Sequence, residues 1–295
     1  MPSHRLELTY RSSWFTFGLI SGRCFPRFFL RWFATWMGYL YALCNPKNSK
    51  SLTDALDVLE ADPKPSGSKV FASFARVLTD YFIIGSRPLS YACRLIPERI
   101  GYEHLKSTFE KGRGGLLLTP HFGFFELGGA VMKEEGFPLV ILTDPEPSES
   151  LTQWRAAYRK RWDVETVVIG RDELQFMEVI RLLNEGRFVA ALFDRSSPER
   201  SSLAKFKKGA VPCASSVLLL ALLAKCPVIP MAVYSRPDHK YCLHAQPPIH
   251  IEKMSSIQST LDHYSQQVFE SLWPILKAHP DQWYRFGPSS IPRES

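Results

Sequence analysis

From about residue 100 onward the chain alternates short apolar runs with amphipathic stretches of ten residues or more, and no other feature constrains the fold as strongly. The runs GGLLLTP (114–120), PLVILTD (138–144), VETVVIG (164–170), RFVAALFD (187–194), PVIPMAVY (227–234) and YCLHAQPPIHI (241–251) read as strands. Between and after them, 123–136, 150–162, 172–186, 214–226 and 259–278 carry apolar residues at helical spacing. Asp172 is placed to cap the third of these helices and Gly186 to stop it. Pro274 is expected to kink the last. Parallel neighbours in a sheet require a crossover of helix length, and strands buried on both faces are apolar throughout rather than alternating. The expectation is an α/β fold with a mostly parallel central sheet flanked by helices. The 214–226 helix has no charge before Lys225, so it either fills the core or walls an apolar ligand site.

The N-terminal part is of a different kind. Residues 14–44 hold aromatics at Trp14, Phe15, Phe17, Phe25, Phe28, Phe29, Trp32, Phe33, Trp36, Tyr39 and Tyr41, interrupted by Arg23, Arg27 and Arg31. A step of four residues turns a helix by only about 40° net, so the arginines share one face. The uncharged run 32–44 is well short of the roughly 20 residues that span a bilayer. This predicts an aromatic-rich membrane-associating helix lying in the interface, with rings at acyl depth and arginines at phosphate depth. No secretory signal pattern is expected at the N-terminus. Residues 45–68 are polar and hold Pro46, Pro63, Pro65 and Gly67, with a short helix in SLTDALDVLEA. Residues 69–97 read as helices broken at Gly85 and Pro88. The expected organisation is a membrane-associating segment over 1–45, a helical connector over 46–98 and an α/β domain over 99–295.

An apolar share of 45% supports a full core and excludes disorder as the main state. The net charge of +7 favours acidic partners such as anionic lipid, phosphorylated substrates or an acidic carrier protein. Basic tracts interleaved with Gly or Ser are absent, which argues against nucleic acid. The six cysteines form no CxxC pair and no Cys/His cluster with zinc spacing, so free thiols are expected, with no metal.

The candidate chemistry lies in TPHFGFFELGG (119–129). His121 follows an apolar strand and precedes a helix, and ligands of open α/β sheets gather at the carboxyl ends of strands. Glu126 is five residues on. Within one helix the two side chains would diverge by about 140°, so they meet only if His121 precedes the helix and Glu126 sits in its first turns. A carboxylate that accepts from Nδ1–H fixes the imidazole tautomer and raises the basicity of Nε2. Nε2 can then take a proton from an alcohol attacking an acyl carbonyl. Phe122, Phe124 and Phe125 flank the pair as an acyl pocket would require, and Gly123 permits close backbone approach. A second strand end carries Asp194 and Arg195, followed by Lys205, Lys207, Lys208 and Gly209, which read either as a phosphate-binding stretch or as a solvated loop. Arg155, Arg159 and Arg161 near the end of the 150–162 helix read either as ligand contacts or as favourable charges for the helix dipole. No GxSxG is present, which counts against a serine hydrolase.

HFGFFE is similar to the H-x(4)-D/E signature of the glycerolipid acyltransferase superfamily. RAAYRKRW, LFDRSS, FKKGA, PVIPMAV and the C-terminal HPDQWYRF, taken in that order, resemble the lipid A biosynthesis (lauroyl/myristoyl) acyltransferase branch. The resemblance implies an O-acyltransferase without cofactor at the cytoplasmic face of a bacterial inner membrane. It implies transfer from acyl carrier protein or acyl-coenzyme A to a hydroxyl of a glycolipid such as a lipid A precursor. On this reading His121 is the base and Glu126 its charge partner, while Arg159 or Arg161, Asp194, Arg195, Lys208 and Gly209 bind substrate. Another acceptor (a lysophospholipid, an ornithine lipid or a polyene head group) or a non-enzymatic lipid-binding protein are the alternatives.

Overall fold

The computed structural model describes residues 12–169, 173–195 and 201–286. A seven-stranded sheet forms its centre. The strands are β1 (Glu98–Ile100), β2 (Gly115–Thr119), β3 (Leu139–Thr143), β4 (Glu165–Val168), β5 (Phe188–Leu192), β8 (Val228–Ser235) and β9 (Tyr241–Ala245), in the order β1-β9-β8-β2-β5-β3-β4. Every pairing is parallel except β8 with β9. The mostly parallel sheet read from the apolar runs is present. β9 departs from that pattern because only a short turn separates it from β8, and so short a link returns the chain antiparallel. The remaining two strands, β6 (Ser202–Phe206) and β7 (Gly209–Cys213), form a separate antiparallel hairpin where the sequence suggests a basic loop. β1 also lies outside the expected strands.

The helices are α1 (Ser12–Cys24), α2 (Arg27–Cys44), α3 (Pro46–Ala55), α4 (Gly67–Gly85), α5 (Leu89–Arg94), α6 (Tyr102–Glu110), α7 (Phe125–Glu134), α8 (Glu149–Lys160), α9 (Glu173–Asn184), α10 (Ser215–Ala224) and α11 (Ile257–Ala278). Several ends follow from local chemistry. Ser148 caps α8 by accepting from Leu151 N, and Ser256 and Ser259 form a reciprocal capping box at α11. Gly186 takes a positive φ of 82° just past α9. The Asp172 cap falls outside the described residues. α4 stops at Gly85 and α5 restarts after Pro88, as read. α10 is buried at Val217, Leu218, Leu220 and Ala221, in agreement with the core reading of its apolar sequence.

The N-terminal segment is two helices, not one, because Pro26 interrupts the chain between α1 and α2. α2 also faces the opposite way from the expectation for its arginines. Gly38, Ala42 and Arg31 point inward, and the backbone of Gly38 comes so near Ala72 that an added Cβ would lie 2.6 Å from Ala72 Cα. The Asp80 carboxylate on α4 accepts from Arg27 Nε at 2.8 Å and from Arg27 Nη2 at 2.9 Å, and also from Arg31 and the Tyr241 hydroxyl. Two of the three arginines expected at phosphate depth, Arg27 and Arg31, therefore clamp α2 to α4, while Arg23 on α1 is exposed. The reason is that Asp80 is fully buried and needs cationic partners. The aromatics turn outward. Phe28 is 77% exposed, Trp32 62% and Trp36 64%, with Phe29, Phe33, Met37 and Leu43 beside them. A contiguous apolar face of this kind marks an interaction or membrane surface. Among the described residues no helix is long and apolar enough to cross a membrane.

Val70, Val77, Tyr81 and Ile84 of α4 and Leu52 to Leu59 around α3 belong to the same core as the sheet residues Leu116 to Leu118 and Val228 to Ile229. The described cysteines carry no disulfide.

Candidate active site

The loop between β2 and α7 carries His121 at the carboxyl edge of the sheet. Its path is fixed by pairing rather than by local propensity. Phe124 N donates to Val233 O at 2.7 Å, Gly123 N to Gln282 O at 2.8 Å, and Tyr284 N to His121 O at 2.8 Å. Gly123 has φ of 53°, and a Cβ there would sit 2.0 Å from Val233 O. Only glycine admits both the left-handed backbone and the close approach. The C-terminal segment around Trp283 thus adds itself to the histidine loop as a short strand-like partner.

β2 and β5 lie side by side in parallel register, with Thr119 opposite Leu192. Two residues beyond each, the register delivers His121 and Asp194 to the same point. Asp194 Oδ1 accepts from His121 Nδ1 at 2.6 Å and from the His121 backbone N–H at 2.9 Å. Asp194 Oδ2 accepts from the indole Nε1 of Trp283 at 2.8 Å. The Asp194 side chain is fully buried, while that of His121 is 20% exposed. Burial by itself would raise the Asp194 pKa. The imidazole, the indole N–H and nearby Arg195 outweigh it and hold the carboxyl down at about 2. Asp194 is therefore a carboxylate throughout the neutral range, aimed at Nδ1, which leaves Nε2 as the outward nitrogen able to accept a proton.

Glu126 lies in the first turn of α7, where the sequence places it, but its carboxylate is engaged elsewhere. Arg159 of α8 donates to it twice, from Nε at 3.1 Å and Nη2 at 2.5 Å, and Arg155 Nη1 stands 3.8 Å away. Burial opposes ionisation of Glu126, and the Arg159 guanidinium more than offsets it and lowers its pKa. The expectation of a His121–Glu126 pair is corrected accordingly. Asp194 holds the imidazole, because strand register puts it there, and the bidentate geometry of Arg159 claims Glu126.

The other expected site residues divide. Arg195 Nη2 donates to Tyr284 O at 2.5 Å and so braces the segment that holds Trp283. Phe125 sets its ring edge-on to the His121 imidazole at 5.9 Å. Phe122 and Phe124, expected to line an acyl pocket, are instead packed in the core, with Phe124 edge-on to Tyr241 at 5.4 Å. Arg161 bends back over Tyr158 at 4.3 Å and donates to Tyr158 O, apart from the imidazole. Lys208 and Gly209 sit at the tip of the β6–β7 hairpin, where Lys208 faces Asp57, Glu60 and Lys64. Trp283 and the orienting part of Asp194 were missed by residue spacing. A signal existed in the C-terminal QWYRF and in the strand end LFD, but only pairing between distant segments connects them. Among the described residues no group of three His, Cys, Asp or Glu side chains could hold a metal ion.

The arrangement can do one kind of chemistry well: a partly exposed imidazole, fixed by a buried carboxylate, accepts a proton from a hydroxyl at the sheet edge. Among curated proteins none matches the chain. The sequence profile of the family described as Bacterial lipid A biosynthesis acyltransferase matches residues 3–288. With nearly its whole length covered, the chain belongs to the bacterial lipid A biosynthesis acyltransferase family and is an acyltransferase.

Proposed function

We propose that this acyltransferase moves a fatty acyl group from the thioester of acyl carrier protein, or of coenzyme A, to a hydroxyl of a glycolipid such as a lipid A precursor. His121 is the general base and Asp194 its positioning residue. The observation that carries this reading is the 2.6 Å contact between His121 Nδ1 and Asp194 Oδ1, with Trp283 holding the far carboxylate oxygen. Nε2 removes the hydroxyl proton as the oxygen attacks the thioester carbonyl. The tetrahedral intermediate collapses, the C–S bond breaks as the C–O bond is kept, and the imidazolium returns its proton to the thiolate. Glu126, Arg159 and Arg155 form a charged brace that ties α7, the helix following the His121 loop, to α8. The outward aromatic face of α2 rests on the inner membrane from its cytoplasmic side, which supports a lipid acceptor delivered from the bilayer.

Transfer of labelled acyl groups from acyl carrier protein to a panel of lipid A precursors and lysolipids tests the reading. His121→Ala is expected to abolish transfer with the fold intact. Wild-type turnover by that variant would remove the base assignment, and acyl release to water without any acceptor would replace the transferase reading with a hydrolase.

A further inference from the structure

A cleft of about 820 Å³ opens between the N-terminal half of α2 and the edge of the sheet. Its lining is unbalanced in charge. Arg27, Arg31, Arg76 and Arg236 line it together with His239 and His279, against a single carboxylate, Asp281. Part of the positive charge is already matched. Asp80 serves both Arg27 and Arg31, and Arg236 meets Glu98 at 2.6 Å and Asp238 at 3.6 Å. Arg236 thus has two carboxylates, while Arg27 and Arg31 share one, so the cationic excess is confined to the side of the cleft formed by Arg27, Arg31 and Arg76. The side chain of Arg76, half-buried on α4, makes no hydrogen bond or ion pair with any described residue. Burial, and then Arg31, Arg27 and Arg76 in turn, disfavour protonation of His239, so the positive field of the cleft is felt by its own lining.

Two further observations say what would enter. The rim of the cleft includes Phe28 and Trp32, among the most exposed aromatics of the α2 face. A ligand there meets the cationic floor and the membrane-facing rings together. The cleft also lies at the catalytic edge. Ser235 ends β8, which runs parallel beside β2. Gln282 binds Ser235 N and O through its side chain, while its own carbonyl accepts from Gly123 N in the histidine loop. The floor of the cleft and the loop bearing His121 are therefore joined through one residue.

We propose that this cleft binds the phosphate of a membrane lipid, with Arg76 as the free guanidinium and Arg27 and Arg31 as the fixed ones. A phosphate is suited to it, because it accepts charge-assisted hydrogen bonds from several guanidiniums at once while its acyl chains stay with the aromatic face. Taking that lipid as the acyl acceptor rests on the function proposed above; the phosphate binding does not.

The experiment is flotation of the full chain with phosphatidylcholine vesicles, with and without phosphatidic acid, at fixed ionic strength. Wild type is expected to bind the phosphatidic acid vesicles several-fold more tightly. Arg76→Gln is expected to lower that preference about fivefold, as loss of one well-placed cation at an anionic surface does. Arg76→Lys should keep most of it, and Lys253→Gln, an exposed charge elsewhere on the chain, should leave it unchanged. An unaltered preference in Arg76→Gln overturns the proposal, as does an equal loss in Lys253→Gln, which reports diffuse charge. If vesicles show no preference but inorganic phosphate raises the melting temperature of wild type and not of Arg76→Gln, the site serves a free anion and the lipid assignment fails. His121→Ala should bind vesicles like wild type, which separates this result from the test of catalysis.

Discussion

Replacing Asp194 by asparagine tests the site at its centre, because the substitution keeps the shape and removes the charge. In the wild-type arrangement the carboxylate accepts three hydrogen bonds, two at Oδ1 from the His121 ring and backbone and one at Oδ2 from Trp283. An asparagine has one acceptor oxygen. If that oxygen faces His121, the amide NH2 confronts the indole N–H of Trp283, donor against donor. If it faces Trp283, the NH2 confronts the backbone N–H of His121, and Nδ1 becomes the acceptor, which places the ring proton on Nε2 and removes the base. Either orientation orphans a buried donor at a cost of about 1–3 kcal/mol. The same range follows from the carboxyl itself, since holding it from an ordinary 3.8 down to about 2 is worth about 2 kcal/mol of folding stability. For a chain of this size the melting temperature should fall by roughly 2–10 °C. Turnover should fall much further, by about 10²–10⁴ in kcat with KM little changed, as when a histidine base elsewhere loses its orienting carboxylate. Thermal unfolding and acyl transfer under single-turnover conditions, both on the purified full chain, give the two numbers. A folded Asp194→Asn protein with wild-type kcat would refute the assignment of Asp194. The pH dependence has a definite sign. The folded-state pKa is depressed, so this stability is present above the ordinary carboxylate range and is lost as pH falls from about 4 toward 2. The urea midpoints of wild type and Asp194→Asn should therefore converge on acidification.

Two other substitutions separate bracing from chemistry. Glu126→Gln leaves the buried Arg159 guanidinium without its counter-charge, and should destabilise the protein by about 3–5 kcal/mol, seen as a lower denaturant midpoint. Transfer lost in that variant under conditions where circular dichroism shows it folded would instead put Glu126 in the reaction. Gly123→Ala forces a Cβ into Val233 O and should cost both the loop pairing and most of the transfer rate; wild-type activity in that variant would mean that the loop is held less tightly than its hydrogen bonds indicate.

The family and the class of fold were legible in residue order alone. Apolar runs such as 114–120 and 187–194 can be satisfied only by burial on both faces, and helix-length stretches between them permit only crossovers, so a parallel sheet follows without coordinates. His121 was legible too, because a histidine directly after such a run must fall at the carboxyl edge where ligands gather. The partner was not. Glu126 is near in sequence and Asp194 is 73 residues away. Nothing local reports that β2 and β5, separated by β3 and β4 in the chain, are neighbours in the sheet. Register between distant strands is set by the packing of the whole sheet, and it brings Asp194 to the imidazole. The same holds for α2. Its aromatic and arginine periodicity was readable, but which stripe turned inward depended on Asp80, a buried carboxylate on another helix that could be stabilised only by cations brought to it. Sequence determined most of the elements and singled out His121 as the candidate base; tertiary structure chose the partners, because partner choice depends on distances between segments that the chain itself keeps far apart.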